Sequence, residues 1–288
     1  MALDLGDINK PYAEKMENLA TVRDGSEGKI DNGYWLINVV GADVEGEDLV
    51  PLLYSELYSQ EARGFKSEDT QIFKAVDMVR EGVEDRGIGA IDRGGDRKVI
   101  LEGFLGRRLR LVIRQTGERD LVLSDGKRRS CLLIALGCNC KHKRRLVVDR
   151  DGLKEEKVIS LGYEPVKLPF SDEQLYLVVV KGYGGRPLML LTNLRVMDLD
   201  VSIERILHIY LTRWKCDESY RFIKQNYNLE DIRVRSYNSI RNIVALVQAV
   251  FYFVSVELGR NLRLSILLKK TAPHKNLWAE NGFRNLKA

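Results

Sequence analysis

The 288-residue chain lacks the usual marks of exported, membrane-bound and low-complexity proteins. It opens MALDLGDINK, with acids where a signal peptide needs a basic start and an apolar run, so export is not indicated. No apolar run reaches bilayer length. The best candidate, 243–256, is interrupted by Gln248 and Ser255 and reads as a buried helix. Cysteine is scarce, four in all and without framework spacing, which fits a reducing cytosol. Histidine is scarcer. His142, His208 and His274 have no Ser or Cys partner nearby in sequence, so a nucleophilic triad has no support. There is no internal repeat or low-complexity tract.

What the chain has is apolar residues and charge. At 44% hydrophobic it can build the core of one large domain or two smaller ones. Its 30% charge is balanced between signs, which argues against disorder. The net charge of +5 hides an asymmetry. Residues 1–100 hold 21 acids against 12 Lys and Arg, net −9; the rest hold 20 against 34, net +14. An acidic front and a basic rear suggest a carboxylate site beside a polyanion-binding surface, although a solvated basic face has the same composition.

Patterning predicts a mixed α/β chain. Residues 1–5, 33–44, 48–58, 88–91 and 109–113 read as strands, with a turn over 43–48. Residues 67–84 read as a helix, capped by Ser67 and apolar at helical spacing, and 97–105 as another. From about 120 to 192, short apolar runs such as CLLIALG and LYLVVVKGYGG predict a β-rich block without helix. Helices follow over 202 to about 225 and 240–258, then a polar, basic ending.

Three constellations carry candidate chemistry. Asp4 lies inside a short apolar strand, where a carboxylate is costly unless paired or metal-bound; it could equally end the strand and cap a turn. Asp92 follows the strand Ile88–Ile91 directly and precedes two glycines and a helix. Functional groups of open α/β sheets gather at such strand ends, and the glycines could also be turn punctuation alone. The third lies on one predicted helix. At 100° per residue, Tyr210, Arg213, Asp217 and Lys224 fall at about 0°, 300°, 340° and 320°, one narrow face, with Glu218 off it at about 80°. Arg and Lys there suit phosphate, Tyr a sugar or backbone, and the acid a metal ion.

The spacing Tyr, two residues, Arg, three, acid, six, Lys resembles the signature of the insertion-sequence family 4 transposases, which belong to the DDE group. LDLGDI around Asp4 and AIDRGGDR around Asp92 resemble the family's first two acidic motifs, and KPYAEKMENLATVRDGS and GYWLINVVGA also look like it. The acids are separated by 88 and 125 residues, and the resemblance covers roughly 1 to 255. It implies a ribonuclease-H-like α/β fold, a mixed sheet with flanking helices interrupted by a β-rich insertion. The expected division is a core over 1–118, the insertion over 119–195, core completion over 196–260 and a basic tail over 261–288.

The resemblance further implies a DNA transposase core that nicks phosphodiesters and transfers strands at element ends. Asp4, Asp92 and Asp217 would hold two Mg²⁺ ions roughly 3.5–4 Å apart, with Mn²⁺ substituting. The family's third acid is Glu. Here Asp217 stands there with Glu218 beside it, so either Asp217 serves or a local helix shift brings in Glu218. Tyr210, Arg213 and Lys224 would grip DNA, joined by Arg144 and Arg145 of the basic runs in the insertion.

The implied partners are double-stranded DNA, as transposon ends and target, and a second copy in a synaptic homodimer. The implied setting is the bacterial cytoplasm at the nucleoid, with no membrane. Only three residues precede Asp4, so the expected object is a core lacking its end-recognition domain. A catalytically inactive DNA-binding or dimerising remnant and a related metal-dependent nuclease are the competing readings. Cys138-Asn-Cys140-Lys-His142, with Cys131, invites zinc but lacks the common two-residue gap and is expected on a hairpin turn.

Overall fold

A computed structural model of the chain describes residues 1–23, 28–42, 51–150, 153–196 and 199–258. The chain is mixed α/β and divides into two compact units. One combines Met1–Glu84 with the chain from Arg213 onward; the other spans Asp85–Thr212. Among the described residues, no helix is long and apolar enough to cross a membrane.

The first unit is built on the long strand β3 (Ile30–Val40). On one side it pairs antiparallel with β1 (Ala2–Asn9). On the other it pairs with β2 (Ala20–Arg23) and then β4 (Leu52–Tyr58), both antiparallel. Helix α1 (Glu68–Val83) starts at Ser67, whose side chain accepts from Thr70 N at 3.1 Å, and Glu68 and Asp69 favour its positive end. It packs on β3 and β4. Helices α5 (Trp214–Tyr227) and α6 (Tyr237–Tyr252) supply Ile223, Ile240, Val244 and Phe251 to a core with Ile8, Tyr34, Leu36 and Leu57. Ile37 and Val39, of opposite parity on β3, are buried as well, so the sheet is covered on both faces.

The second unit begins with β5 (Ile88–Ile91), α2 (Lys98–Gly106) and β6 (Arg110–Arg114); β5 and β6 are parallel, as a helical crossover requires. β6 then pairs antiparallel with β12 (Leu188–Thr192), β12 with β11 (Leu175–Lys181), and β11 with β10 (Leu153–Lys167). β10 also pairs with β9 (His142–Arg150) and β7 (Asp120–Leu123), and β7 with β8 (Arg128–Ser130). The unit's sheet is therefore mixed, and the β-rich stretch is hydrogen-bonded directly to β6. α4 (Leu199–Thr212) packs on β5, β6 and β10.

Several expectations need correction. The run CLLIALG is a helix, α3 (Cys131–Gly137), not a strand. Ser130 caps it by accepting from Leu133 N at 3.4 Å, and Lys181 closes its far end by donating to Leu136 O and Cys138 O at 3.0 and 2.8 Å. The Cys138–Cys140 segment accordingly joins a helix to a strand and is no hairpin turn. The helix expected over 202–225 is two helices, broken at Arg213. There Cys216 N donates to Arg213 O, a three-residue bond, and Thr212 Oγ1 bonds back to His208 O. Both tighten or bend a helical ladder. α6 is not buried all round. Gln248 faces the core while Leu246, Val250, Tyr252 and Phe253 are exposed, and the turn Phe253–Leu258 is π-helical. The turn over 43–48 and the tail 261–288 lie outside the described residues.

Candidate active site

Alternation along β1 turns Ala2, Asp4, Gly6 and Ile8 toward α5. Cys216 packs with Ala2 and Val40, Tyr220 crosses Gly6, and Ile223 joins Ile8 in the core. The order of these contacts runs α5 along β1 in the same direction. Gly6 is required, because a Cβ there would overlap the Tyr220 ring, whose hydroxyl donates to Asp7 O. Asp4 is half-buried on the row between the Cys216 and Tyr220 levels.

Asp217 sits in the first turn of α5, where the helix end favours an acid. Arg213 grips it with both arms, Nη1 to Oδ1 at 2.9 Å and Nη2 to Oδ2 at 3.0 Å. The Arg side chain is 7% exposed and the Asp side chain 29%. The Cys216 thiol is pushed well above its ordinary value by burial first, then by the Asp4 and Asp217 charges, with Arg213 opposing. Asp217 follows Cys216 directly in the chain, so of the two acids only Asp4 reaches this thiol from a distant strand. Glu218, the alternative third acid, is half-buried on the same helix.

Asp92 belongs to the second unit and ends β5. Its Oδ1 accepts from Gly94 N at 2.7 Å and caps the tight turn Arg93–Gly95. Its Oδ2 has no hydrogen-bond partner among the described residues. Gly94 and Gly95 punctuate this turn. A Cβ at Gly95 would stand 2.8 Å from the Ile91 side chain and 3.1 Å from that of Ile113. The turn is locked by Asp96, a residue the sequence reading passed over. Its carboxylate is 1% exposed and bonded to Arg119 Nε. It also accepts from Thr116 N and Oγ1, each at 2.8 Å. Arg119 Nη2 donates to Asp96 O at 3.0 Å.

Most of the expected DNA contacts already have intramolecular partners. Tyr210 is buried, and its hydroxyl lies 3.5 Å from Arg114 Nη1. Lys224 lies between Asp7 Oδ2 at 2.9 Å and Glu230 Oε1 at 2.8 Å. Burial alone would lower its ammonium, but bonds to Glu230 and then Asp7 more than offset this and hold it above its usual value. Arg144 pairs with Glu204 at 2.9 Å. Arg145, 77% exposed and 3.6 Å from Glu156, is the one presented to solvent. Lys10 was also missed. It donates to Leu229 O, Glu230 O and Ile232 O at 2.6–2.8 Å, tying β1 to the turn after α5. No local motif announces it, because its partners lie 219–222 residues away.

Carboxylates suit a hard cation such as Mg²⁺, and Asp92 offers an open oxygen for one. Asp217 would have to exchange Arg213 for it. Among the described residues, no group of three or more His, Cys, Asp or Glu is placed to hold a metal ion. Burial pushes the Cys131 and Cys138 thiols each up to about 12. No model of a known protein family matches the chain, and no curated protein matches it.

Proposed function

We propose that the chain is the catalytic core of a DDE-type DNA transposase with a ribonuclease-H-like fold, as its motifs imply. The observation that carries this reading is the seating of α5, which bears Asp217, along β1, which bears Asp4: Cys216 packs with Ala2 and the Tyr220 ring crosses Gly6. The element order agrees with it: the antiparallel β1–β3–β4 run, then α1, then the parallel β5–α2–β6 crossover with Asp92 at its first strand end.

On this reading Asp4, Asp92 and Asp217 supply carboxylates to divalent metal. Bound there, Mg²⁺ would supply charge to activate a water or 3′-hydroxyl and to stabilise the leaving oxygen of a phosphodiester. Asp92 is held by Gly94 N with one oxygen turned free. Arg213, released from Asp217, would carry its two donors to a backbone phosphate. Lys224 and Tyr210 would position α5 and α4, and Arg144 and Arg145 would add salt-sensitive, sequence-independent attraction to double-stranded DNA. The partner copy would be a second chain in a synaptic dimer, in the bacterial cytoplasm.

One observation favours an inactive DNA-binding or dimerising remnant: both oxygens of Asp217 are taken by Arg213. A supercoiled plasmid carrying the gene's own flanking DNA separates the readings. The transposase reading expects Mg²⁺-dependent nicking and strand transfer, reduced roughly a thousandfold or more by Asp92→Ala. Nicking that survives Asp92→Ala overturns it. Salt-dependent binding without nicking supports the remnant, and cleavage without joining supports a nuclease.

A further inference from the structure

Among the buried polar atoms of the first unit without a hydrogen-bond partner among the described residues are Asn38 Oδ1, Ser55 Oγ and both amide atoms of Gln248. Asn38 is 3% exposed. An unpartnered buried amide is unfavourable, and its persistence inside an apolar layer calls for a cause.

The strand register places it. Asp4 lies opposite Asn38, and Asn38 opposite Ser55, so one row across three strands reads Asp4, Asn38, Ser55. Alternation sets this row on the face of Tyr34, Leu36 and Leu57, which α5 and α6 cover. The rows on either side are apolar: Ala2, Val40 and Leu52, then Gly6, Leu36 and Leu57. Cys216 packs on the first and Tyr220 on the second, so one turn of α5 spans the polar row. α6 runs antiparallel to β4, since the Tyr237 hydroxyl meets the Ser59 backbone and Arg241 reaches Glu56 at 3.4 Å.

Side chains facing one another in such a row stand about 4.5–5.5 Å apart at Cβ. At that spacing Ser55 Oγ–H faces Asn38 as a possible donor to its Oδ1, and the Asn38 amide faces Asp4 as a possible donor to its carboxylate. Asp92 is oriented by Gly94 N and Asp217 by Arg213. We propose that Asn38, braced by Ser55, is the corresponding positioning residue for Asp4, setting its carboxylate for a divalent cation. This rests on the reading of Asp4 as a metal-binding acid.

The test is Mn²⁺ binding to the full chain, followed by electron paramagnetic resonance, together with thermal unfolding in metal-free buffer. Wild type binds, and Asp4→Asn loses most of that binding. Asn38→Val weakens it about tenfold and Ser55→Ala less, the usual scale for a group that orients a ligand. Without metal, Asn38→Val unfolds at the same or a higher temperature, because it removes an unpartnered amide. A purely structural role predicts the reverse pair of results. Asn38→Ser, smaller and still a donor, makes the same measurement if valine prevents folding, and is expected to bind better than Asn38→Val. Asp4-dependent binding untouched by both Asn38 variants overturns the positioning role alone. Equal binding by wild type and Asp4→Asn overturns the reading of Asp4, and the proposal with it.

Discussion

Asp92 and Asp217 are both held by a nearby group, but the holding differs. At Asp92 one oxygen is fixed by Gly94 N, two residues on, and the other is left open. At Asp217 both oxygens are closed by Arg213, and α5 is seated on β1 through bonds such as Lys224–Asp7, which spans 217 residues. A short turn presents its acid; a helix seated by distant contacts restrains its acid. The contrast puts the question of activity on Arg213, since the transposase reading needs that grip to be exchangeable and the remnant reading needs it to be permanent.

Mutations can break either side of this comparison. The largest effect is expected at Asp96→Ala, which leaves Arg119 buried without its carboxylate and unlocks the Asp92 turn. A loss of about 3–5 kcal/mol is expected in denaturant unfolding. Next is Gly6→Val, which drives a side chain into the Tyr220 ring and unseats α5. It should cost about 2–3 kcal/mol, and a neutral result would mean that α5 is not seated on β1 as described. Lys224→Met removes the partner of the buried Asp7 carboxylate and should cost about 2 kcal/mol, recovered in part by pairing it with Asp7→Asn. Arg213→Gln is the smallest in stability, about 1 kcal/mol, because Asp217 is partly solvated. It sharpens the comparison most, since it frees Asp217 and should raise Mn²⁺ affinity in a binding titration. Unchanged affinity would place Asp217 outside any metal site.

How much of this was legible depends on the range of the interactions. β1, β3, α1, β5, α2 and β6 follow from alternation, helical spacing and caps within a few residues, and the structure has them close to the expected bounds. The Asp92 turn was legible for the same reason. α3 was not, because seven small and aliphatic residues suit strand or helix alike, and Ser130 together with the distant Lys181 decides between them. The break at Arg213 was hidden because no Gly or Pro marks it; it is made by the Cys216 N to Arg213 O bond and the Thr212 bond back to His208 O. α6 misled because its most polar interior residue, Gln248, is buried while Leu246 and Phe253 face out. In the candidate site, the acids were named by motif, whereas the partners that hold the surrounding structure, such as Asp7, Lys10 and Asp96, depend on longer-range pairing.

The central claim is that Asp4, Asp92 and Asp217 do one job. The most direct test is Mg²⁺-dependent DNA nicking by Asp4→Asn, Asp92→Asn, Asp217→Asn and the Asp4→Asn/Asp92→Asn double variant. The account predicts comparable losses in all three single variants and a double variant no slower than either parent, as for groups that act as a unit. A single variant that keeps wild-type nicking, or a double variant whose loss is the product of the single losses, would contradict it.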